Sequence, residues 1–365
     1  MTYADRRDAL RELVRAAELD AIVVTDVVNV CYLTGFTGSN AALLVYAEDT
    51  EADERRTTLV TDKRYQTQAA VEVPDLPLTI ERICGVAAVK AAARNGLSRL
   101  GFESGQVTVD GYAAMREVAE VTELARAPDL VQRLRVIKDS GEVDALRSAC
   151  SAADAAFADL IAGGGLRPGR TEREVADDLE RRMRAHGADG PSFESIVAAG
   201  AHSAVPHHRP THTELASGDL VKLDFGARWG GYHSDMTRTV VLGRPAGWQR
   251  ELYELVAAAQ AAGRSALASG VEAREVDSAA RTVIDQAGRG AEFTHGLGHG
   301  VGLQIHEAPA LAASATGKLV EGMTLTIEPG VYLAGRGGVR IEDTLVVRSD
   351  GAELLTHTDR ELLAL

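Results

Sequence analysis

Two aspartates in a predicted β-hairpin are the first residues that suggest chemistry. The segment from residue 219 to residue 241 reads DLVKLDFGARWGGYHSDMTRTVV, with two apolar runs on either side of a turn at Gly230. If the pairing centres between Trp229 and Gly230, Asp224 lies directly opposite Asp235, with Cβ atoms about 5 Å apart. Carboxylates at that distance repel each other, and a Mn- or Mg-like divalent ion, which prefers hard oxygen ligands, would offset the repulsion. The alternative is a solvated hairpin with two acidic side chains.

A second predicted hairpin, residues 324 to 347, repeats this arrangement later in the chain. Glu328 lies on its first strand and Glu342 on its return strand, which matches the placement of Asp224 and Asp235. A proline and a glycine directly follow Glu328, and both normally weaken a strand. We therefore expect the backbone at Glu328 to be set by something other than the strand ladder.

The segment THGLGHGVGLQIHEAP, residues 294 to 309, combines histidines with alternating glycines. His295 and His299 lie among the glycines, and His306 follows them. Glycine lets a backbone approach a ligand closely. A dinucleotide-binding loop is disfavoured, because the G-x-G-x-x-G spacing and its strand-to-helix context are absent.

Together the two hairpins and the histidine segment could supply a metal centre. Four carboxylates and one imidazole make five ligands, the set that two metal ions about 3.5–4 Å apart need, with a bridging water that becomes a nucleophile near neutral pH. The other candidates, His207, His295 and His306, would stabilise an oxyanion and orient the substrate. The remaining histidines are interpreted as ordinary surface or core residues: His186, His202, His208, His212, His233 and His357.

The elements that carry these residues suggest two domains. Strands and helices alternate in the first third of the chain, which predicts an α/β layer structure. No phosphate-binding glycine loop occurs there, so we interpret residues 1–134 as a support or oligomerisation domain. A connecting helix that begins at Pro128 leads into the second domain, residues 135–365.

The second domain contains a weak internal repeat. Residues 169–187 and residues 270–288 each begin with glycine, carry Arg-Glu-Val at the same offset and place apolar residues at helical spacing. Further on, residues 217–227 match residues 321–331 and place Asp224 over Glu328. Two such copies predict halves related by a pseudo-twofold axis, with a site at the axis that draws ligands from each half. Chance similarity of short α/β units is the alternative.

Composition narrows the class of protein. The chain has 365 residues and a formal net charge of -14, which argues against binding to a nucleic-acid backbone. No apolar run is long enough for a membrane span, and the first residues lack the apolar region of a signal peptide. Three widely spaced cysteines fit reduced thiols better than disulfides or a zinc cluster. We therefore expect a cytoplasmic protein.

The motifs taken together resemble the pita-bread metallopeptidases, which include methionine aminopeptidase, prolidase and aminopeptidase P. The similarity covers the whole chain, and LDFGARWGGYHSDMTRT, HGLGHGVG, HEAP, TIEPG and RIED occur in the family's order. The resemblance implies an α/β (α+β) fold, with an N-terminal three-layer α/β domain of the creatinase/prolidase type and a C-terminal pita-bread catalytic domain. It also implies a homodimer or homotetramer.

The resemblance further implies roles for the site residues. Two divalent ions, most typically manganese, with cobalt, zinc or iron as alternatives, would be held by the following ligands: Asp224, Asp235, His299, Glu328 and Glu342. Glu328 would also shuttle a proton during attack by a metal-bridging hydroxide. His306 would hold the scissile carbonyl, His207 would line the substrate site, His295 would support it, and Arg340 would pair with a metal-bridging carboxylate.

The resemblance points to peptides with proline in the second position as substrates. The segment NVCYLTGFTGSNAALLV, residues 29–45, is similar to bacterial aminopeptidases P, so we expect an Xaa-Pro aminopeptidase, with an Xaa-Pro dipeptidase (prolidase) as the alternative. Two further readings are a non-catalytic peptide-binding module on the same fold and a creatinase-like hydrolase without metal. Both are disfavoured because all five ligand positions are present.

Overall fold

The computed structural model describes residues 1–50 and 53–365. It divides the chain into two compact units, Met1–Arg135 and Val136–Leu365. Helices and strands occur in both units, in agreement with the predicted α/β fold. None of the helices within the described ranges is long and apolar enough to cross a membrane.

The first unit is built on one mixed sheet of six strands. The strands are β1 (Ala21–Val24), β2 (Ala41–Tyr46), β3 (Thr58–Thr61), β4 (Leu78–Ile80), β5 (Arg99–Phe102) and β6 (Glu123–Arg126). The helices are α1 (Tyr3–Ala16), α2 (Val27–Thr34), α3 (Gln66–Glu72), α4 (Cys84–Arg94), α5 (Val109–Val118) and α6 (Leu130–Arg135). The strand order is β4-β3-β2-β1-β5-β6. All four residues of the central strand β1 are buried, as expected for a strand that is covered on both faces.

The second unit carries the predicted site residues on and beside short strands, and it also contains four long helices. The helices are α7 (Ser140–Ala162), α8 (Glu172–Ala185), α9 (Gly247–Ala266) and α10 (Ala273–Gln286). The strands are β7 (Gly190–Pro191), β8 (Ile196–Ala199), β9 (Leu220–Phe225), β10 (Ala227–Trp229), β11 (Tyr232–His233), β12 (Met236–Val241), β13 (Gly298–Gly300), β14 (Glu307–Leu311), β15 (Thr324–Ile327), β16 (Gly330–Leu333), β17 (Gly337–Arg340), β18 (Asp343–Arg348) and β19 (Gly351–Leu354).

The predicted register of the first hairpin is wrong. Asp224 on β9 pairs with Thr237 on β12, so Asp235 lies just before β12 and not opposite Asp224. The reason is the turn: Gly230 and Gly231 both have positive φ, at 56° and 84°, and form a two-residue connection that fixes the pairing. The pairing therefore centres one residue later than predicted.

The connecting helix also differs from the prediction. It is not continuous but consists of α6 and α7, which are separated by residues 136 to 139. The break coincides with a capping box, in which Asp139 accepts a hydrogen bond from the amide of Glu142 and the Glu142 carboxylate accepts one from the amide of Asp139. A capping box satisfies amides that have no partner inside the helix, and it therefore starts a new helix here.

The repeated pattern in the sequence corresponds to repeated elements. Helices α8 and α10 have 14 residues each, and each precedes a strand pair that carries two of the predicted carboxylate ligands. In the second copy, β15 pairs with β18 up to Ile327 and Asp343, and β16 then pairs with β17. Glu328 and Glu342 therefore lie at the gap between two ladders, where side chains can leave the sheet.

Candidate metal centre

The predicted site residues surround one cavity of about 210 Å³ in the second unit. Its lining consists of Phe193, Ile196, His207, Asp224, Asp235, His299, Ile305, His306, Glu328 and Glu342. All five predicted metal ligands are in this set, together with two of the predicted catalytic histidines. The two hairpins and the glycine-rich segment thus converge on a single space.

Carboxylate oxygens without hydrogen-bond partners face this cavity. In the described residues, Oδ1 of Asp224, Oδ1 of Asp235 and Oε1 of Glu342 are buried and accept no hydrogen bond. Ligand atoms of Asp235, His299 and Glu342 lie within 4.8 Å of one another. Buried carboxylate oxygens are normally paired, so this arrangement fits a bound cation.

Electrostatics support the same interpretation. Burial, followed by repulsion from Glu342, raises the pKa of Asp235 well above its usual range. Burial, followed by repulsion from Glu328 and Asp224, does the same for the pKa of Glu342. The pKa of Glu328 is raised to about 8, mainly by burial. Bound divalent ions would remove both the burial penalty and the repulsion, so these residues fit a metal centre.

His299 is prepared to act as a neutral ligand. Its Nδ1 donates a hydrogen bond to the carbonyl of Gly300 at 3.0 Å, which leaves the lone pair on Nε2. Nε2 lies 3.5 Å from Oδ2 of Asp235 and 3.4 Å from Oε1 of Glu328. Burial lowers the pKa of His299 to about 4, so the imidazole is neutral at pH 7. A neutral imidazole with a free Nε2 is the form that binds metals.

Contacts outside the hairpin ladder hold the two glutamates, as the sequence predicts for Glu328. The amide of Glu328 donates to the carbonyl of Leu297 at 2.8 Å, in the glycine-rich segment. The amide of Glu342 donates to the carbonyl of Thr237 at 3.1 Å, in the first hairpin. These two bonds tie each glutamate to another ligand-bearing segment.

Arg340 connects the ligands through a buried network. Its Nη2 donates to Oδ2 of Asp224, and its Nε donates to Oγ1 of Thr237 at 3.0 Å. Thr237 in turn donates to Oε2 of Glu342 at 2.7 Å. Nη1 of Arg340 donates to the hydroxyl of Tyr332 at 2.8 Å. One guanidinium therefore orients two carboxylates, the first directly and the second through a threonine.

The three predicted auxiliary histidines occupy different positions. His207 and His306 line the cavity, and the ring of His306 lies 4.4 Å from the ring of His299, centroid to centroid. His295 is not among the lining residues. Its Nε2 accepts a hydrogen bond from the Tyr332 hydroxyl at 2.8 Å, so it reaches the cavity only through Tyr332 and Arg340.

Several residues that shape the site are not evident from the sequence. Tyr332 and Thr237 join the Arg340 network, and three apolar side chains, Phe193, Ile196 and Ile305, form part of the cavity surface. Two histidines interpreted as ordinary residues, His202 and His208, donate to opposite oxygens of Glu172 at 2.9 and 2.8 Å. Their closeness to His207 in the sequence is a signal, but Glu172 is remote from them along the chain.

Comparisons with known proteins agree with this geometry. The model of metallopeptidase family M24 matches residues 144–349, and the model of the Creatinase/Prolidase N-terminal domain matches residues 6–137. The M24 match contains every residue of the cavity lining.

Three similar proteins illustrate the relationship. The chain is 36% identical over 359 residues to an Xaa-Pro dipeptidase of Pyrococcus furiosus, which covers 98% of this chain and 99% of that protein. The structure of an Xaa-Pro dipeptidase from Bacillus anthracis superposes with a TM-score of 0.93 at 36% identity over 100% of both chains. An X-Pro aminopeptidase from Thermotoga maritima gives a TM-score of 0.89 at 31% identity, covering 98% of this chain and 99% of that one. The chain belongs to metallopeptidase family M24.

Proposed function

We propose that this metallopeptidase hydrolyses Xaa-Pro dipeptides at a centre of two divalent ions. The observation that carries the proposal is the group of buried carboxylate oxygens without hydrogen-bond partners around His299. The ions would be held by Asp224, Asp235, His299, Glu328 and Glu342. We propose manganese, because four carboxylates and one imidazole form an oxygen-rich ligand set. When bound, the ions would polarise the scissile carbonyl and lower the pKa of a water molecule to near neutrality.

The other side chains of the cavity would handle protons and orient the substrate. Glu328 accepts a hydrogen bond from Oγ1 of Thr326 at 3.3 Å, and its carboxylate would take a proton from the attacking water and pass it to the prolyl nitrogen that leaves. The pKa of His306 is lowered by burial, so this imidazole is neutral and donates a hydrogen bond to the carbonyl oxygen. His207 would contact the terminal carboxylate of the dipeptide.

The apolar part of the cavity suits proline. Phe193, Ile196 and Ile305 present hydrocarbon surface beside the ligands. A prolyl nitrogen in a peptide bond carries no hydrogen, so the site needs no acceptor for it. A pyrrolidine ring can therefore pack against these side chains without leaving an unpaired polar group.

Dipeptidase activity is better supported than the aminopeptidase activity expected from the sequence. Xaa-Pro dipeptidases of two Pyrococcus species align along 94% or more of the chain, and several of the most similar structures are prolidases or dipeptidases. The ten lining residues include no lysine or arginine, so the imidazole of His207 would meet the terminal carboxylate of a dipeptide. The aminopeptidase remains the second candidate because of the Thermotoga structure.

Substrate length separates the two candidates. Manganese-loaded protein is expected to hydrolyse the dipeptide Ala-Pro with a kcat/KM at least about tenfold higher than the tripeptide Ala-Pro-Ala, because a site that binds a terminal carboxylate loses that contact with a longer peptide. Ala-Ala serves as the control for the proline requirement. Faster hydrolysis of the tripeptide would contradict the dipeptidase and favour the aminopeptidase.

Replacement of Arg340 by lysine tests the network around the ligands. Lysine keeps the positive charge but cannot bond Asp224, Thr237 and Tyr332 together, so we expect kcat/KM for Ala-Pro to fall about 10- to 100-fold. Steady-state kinetics at saturating manganese measure the effect. Arg250→Lys, at an exposed position, is the matched control and is expected to behave as the unsubstituted protein. Equal activity of both variants would show that the network does not support the centre.

We also propose a cytoplasmic homodimer or homotetramer. The free thiols of Cys31, Cys84 and Cys150 support a reducing compartment. Sedimentation equilibrium would measure the number of chains in the assembly, and a monomer would contradict this part of the proposal.

A further inference from the structure

Lys222 is a buried lysine next to the metal centre that the proposed mechanism does not use. Its exposure is 0%, and it lies on β9 two residues before Asp224. Side chains alternate along a strand, so Lys222 and Asp224 share one face of β9. The opposite face carries Val221, Leu223 and Phe225, which pack in an apolar cluster. Lysine is rarely fully buried, and a purely structural position of this kind would favour an apolar residue.

The amino group of Lys222 binds backbone carbonyls. Nζ donates to the carbonyl of Val205 at 2.6 Å and to the carbonyl of Pro206 at 3.0 Å. It also lies 5.2 Å from the centre of the Tyr332 ring. Within the described part of the chain, no carboxylate lies within ion-pair distance of Nζ. The two carbonyls are therefore its hydrogen-bonding partners.

These carbonyls immediately precede His207. Val205 is 46% exposed and His207 is also exposed, so side-chain packing alone does not fix this segment. Arg340 donates from Nη1 to the same Pro206 carbonyl at 3.2 Å. Beyond His207, the side chain of His208 and both the amide and the hydroxyl of Thr211 donate to Oε2 of Glu172. Hydrogen bonds on both sides of His207 thus define its place in the cavity.

We propose that Lys222 is a positioning residue that acts through the backbone of residues 205–206 to place His207 against the substrate. Loss of the Lys222 amino group would remove the donor to the Val205 carbonyl and leave the Pro206 carbonyl with the hydrogen bond from Arg340. The segment would then shift, and substrate binding would weaken, whereas the metal ligands would keep their own contacts. This inference rests on the proposed function, because it treats His207 as a substrate contact.

Kinetics of Lys222→Met test the proposal. For Ala-Pro we expect KM to rise about tenfold or more, because two hydrogen bonds to the backbone before His207 are lost, with kcat within about threefold of the unsubstituted protein and unchanged manganese content. Lys318→Met, at an exposed lysine, is the matched control. Lys222→Gln keeps an amide donor and should give a smaller rise; it carries the test if Lys222→Met does not fold.

A double variant shows whether the effect passes through His207. When His207 is already alanine, adding Lys222→Met is expected to raise KM less than twofold, because the side chain that Lys222 positions is gone. If Lys222→Met raised KM by the same factor with His207 present and with His207 replaced by alanine, the proposal would be overturned. An unchanged KM would also overturn the proposal. So would a lower kcat together with lost manganese, which would show that Lys222 supports the metal ligands and not His207.

Hydrogen exchange gives a readout that does not depend on activity. Amides of residues 201–209 are expected to exchange at least about tenfold faster in Lys222→Met than in the unsubstituted protein, whereas other segments should be unaffected. Unchanged exchange would overturn the positioning role. Absence of Ala-Pro hydrolysis by the unsubstituted protein would contradict the proposed function instead, and the exchange result would still decide the role of Lys222.

Discussion

Replacement of Asp235 by asparagine is expected to reduce Ala-Pro hydrolysis by a factor of about 10³ and to lower the manganese content of the protein. Asp235 is 5% exposed, and its Oδ1 has no hydrogen-bond partner among the described residues. Its side chain lies within 4.8 Å of the ligand atoms of His299 and Glu342. An amide supplies only a neutral oxygen at this position, so the attraction for a cation falls. Kinetics and elemental analysis measure the two effects.

Asp350→Asn provides the matched control for this experiment. Asp350 is exposed and lies outside the cavity lining, so the same chemical change there should leave activity and manganese content unaltered. Full activity of Asp235→Asn, with the manganese content of the unsubstituted protein, would exclude Asp235 as a ligand.

Glu328→Gln is expected to change stability in opposite directions without and with metal. Burial raises the pKa of Glu328 from 4.5 to about 8 in the metal-free protein. A carboxyl whose pKa is raised on folding retains a proton that the unfolded chain has lost, so its contribution to stability falls as pH rises from about 4.5 through about 8. The slope is at most about 1.4 kcal/mol per pH unit for one proton. Glutamine does not titrate, so its contribution to stability does not fall as pH rises.

Urea unfolding after treatment with EDTA measures this difference. We expect metal-free Glu328→Gln to be more stable than the metal-free unsubstituted protein at pH 8, and the gap to narrow at pH 5. The comparison cancels contributions from other titrating groups, because both proteins contain them. With manganese present the order should reverse, since the unsubstituted protein binds the ions more tightly and gains more stability. A pH-independent gap would contradict the assigned pKa shift.

The sequence predicts the chemistry of the site better than its geometry. Carboxylates that recur in two matching hairpins identify the four acidic candidate ligands, and the resemblance to the family implies His299 as the fifth. The register of the first hairpin could not be assigned, since it depends on which two residues adopt positive φ. A shift of one residue in the turn moved the partner of Asp224 from Asp235 to Thr237.

Residues that act through tertiary contacts were not predictable. Tyr332, Thr237 and Lys222 occupy strand positions where their types suggest only ordinary packing. Their roles arise because Arg340 and the segment before His207 come from distant parts of the chain and meet at the same cavity. Helix breaks such as the one at Asp139 follow local capping and are visible in the sequence, although the prediction merged the two helices.

The preferred length of the substrate also could not be predicted from the sequence motifs. The motifs that hold the ligands are shared by dipeptidases and aminopeptidases, so they do not distinguish the two. Full-length similarity to Xaa-Pro dipeptidases shifts the preference towards the shorter substrate.

Titration of metal-free protein with manganese, with Ala-Pro hydrolysis followed at each step, tests the central claim most directly. We expect no hydrolysis without metal, a rise in parallel with bound manganese, and saturation at about two ions per chain. Protein that binds no manganese, or that hydrolyses Ala-Pro equally well after treatment with EDTA, would contradict the assignment of these carboxylates to a catalytic metal centre.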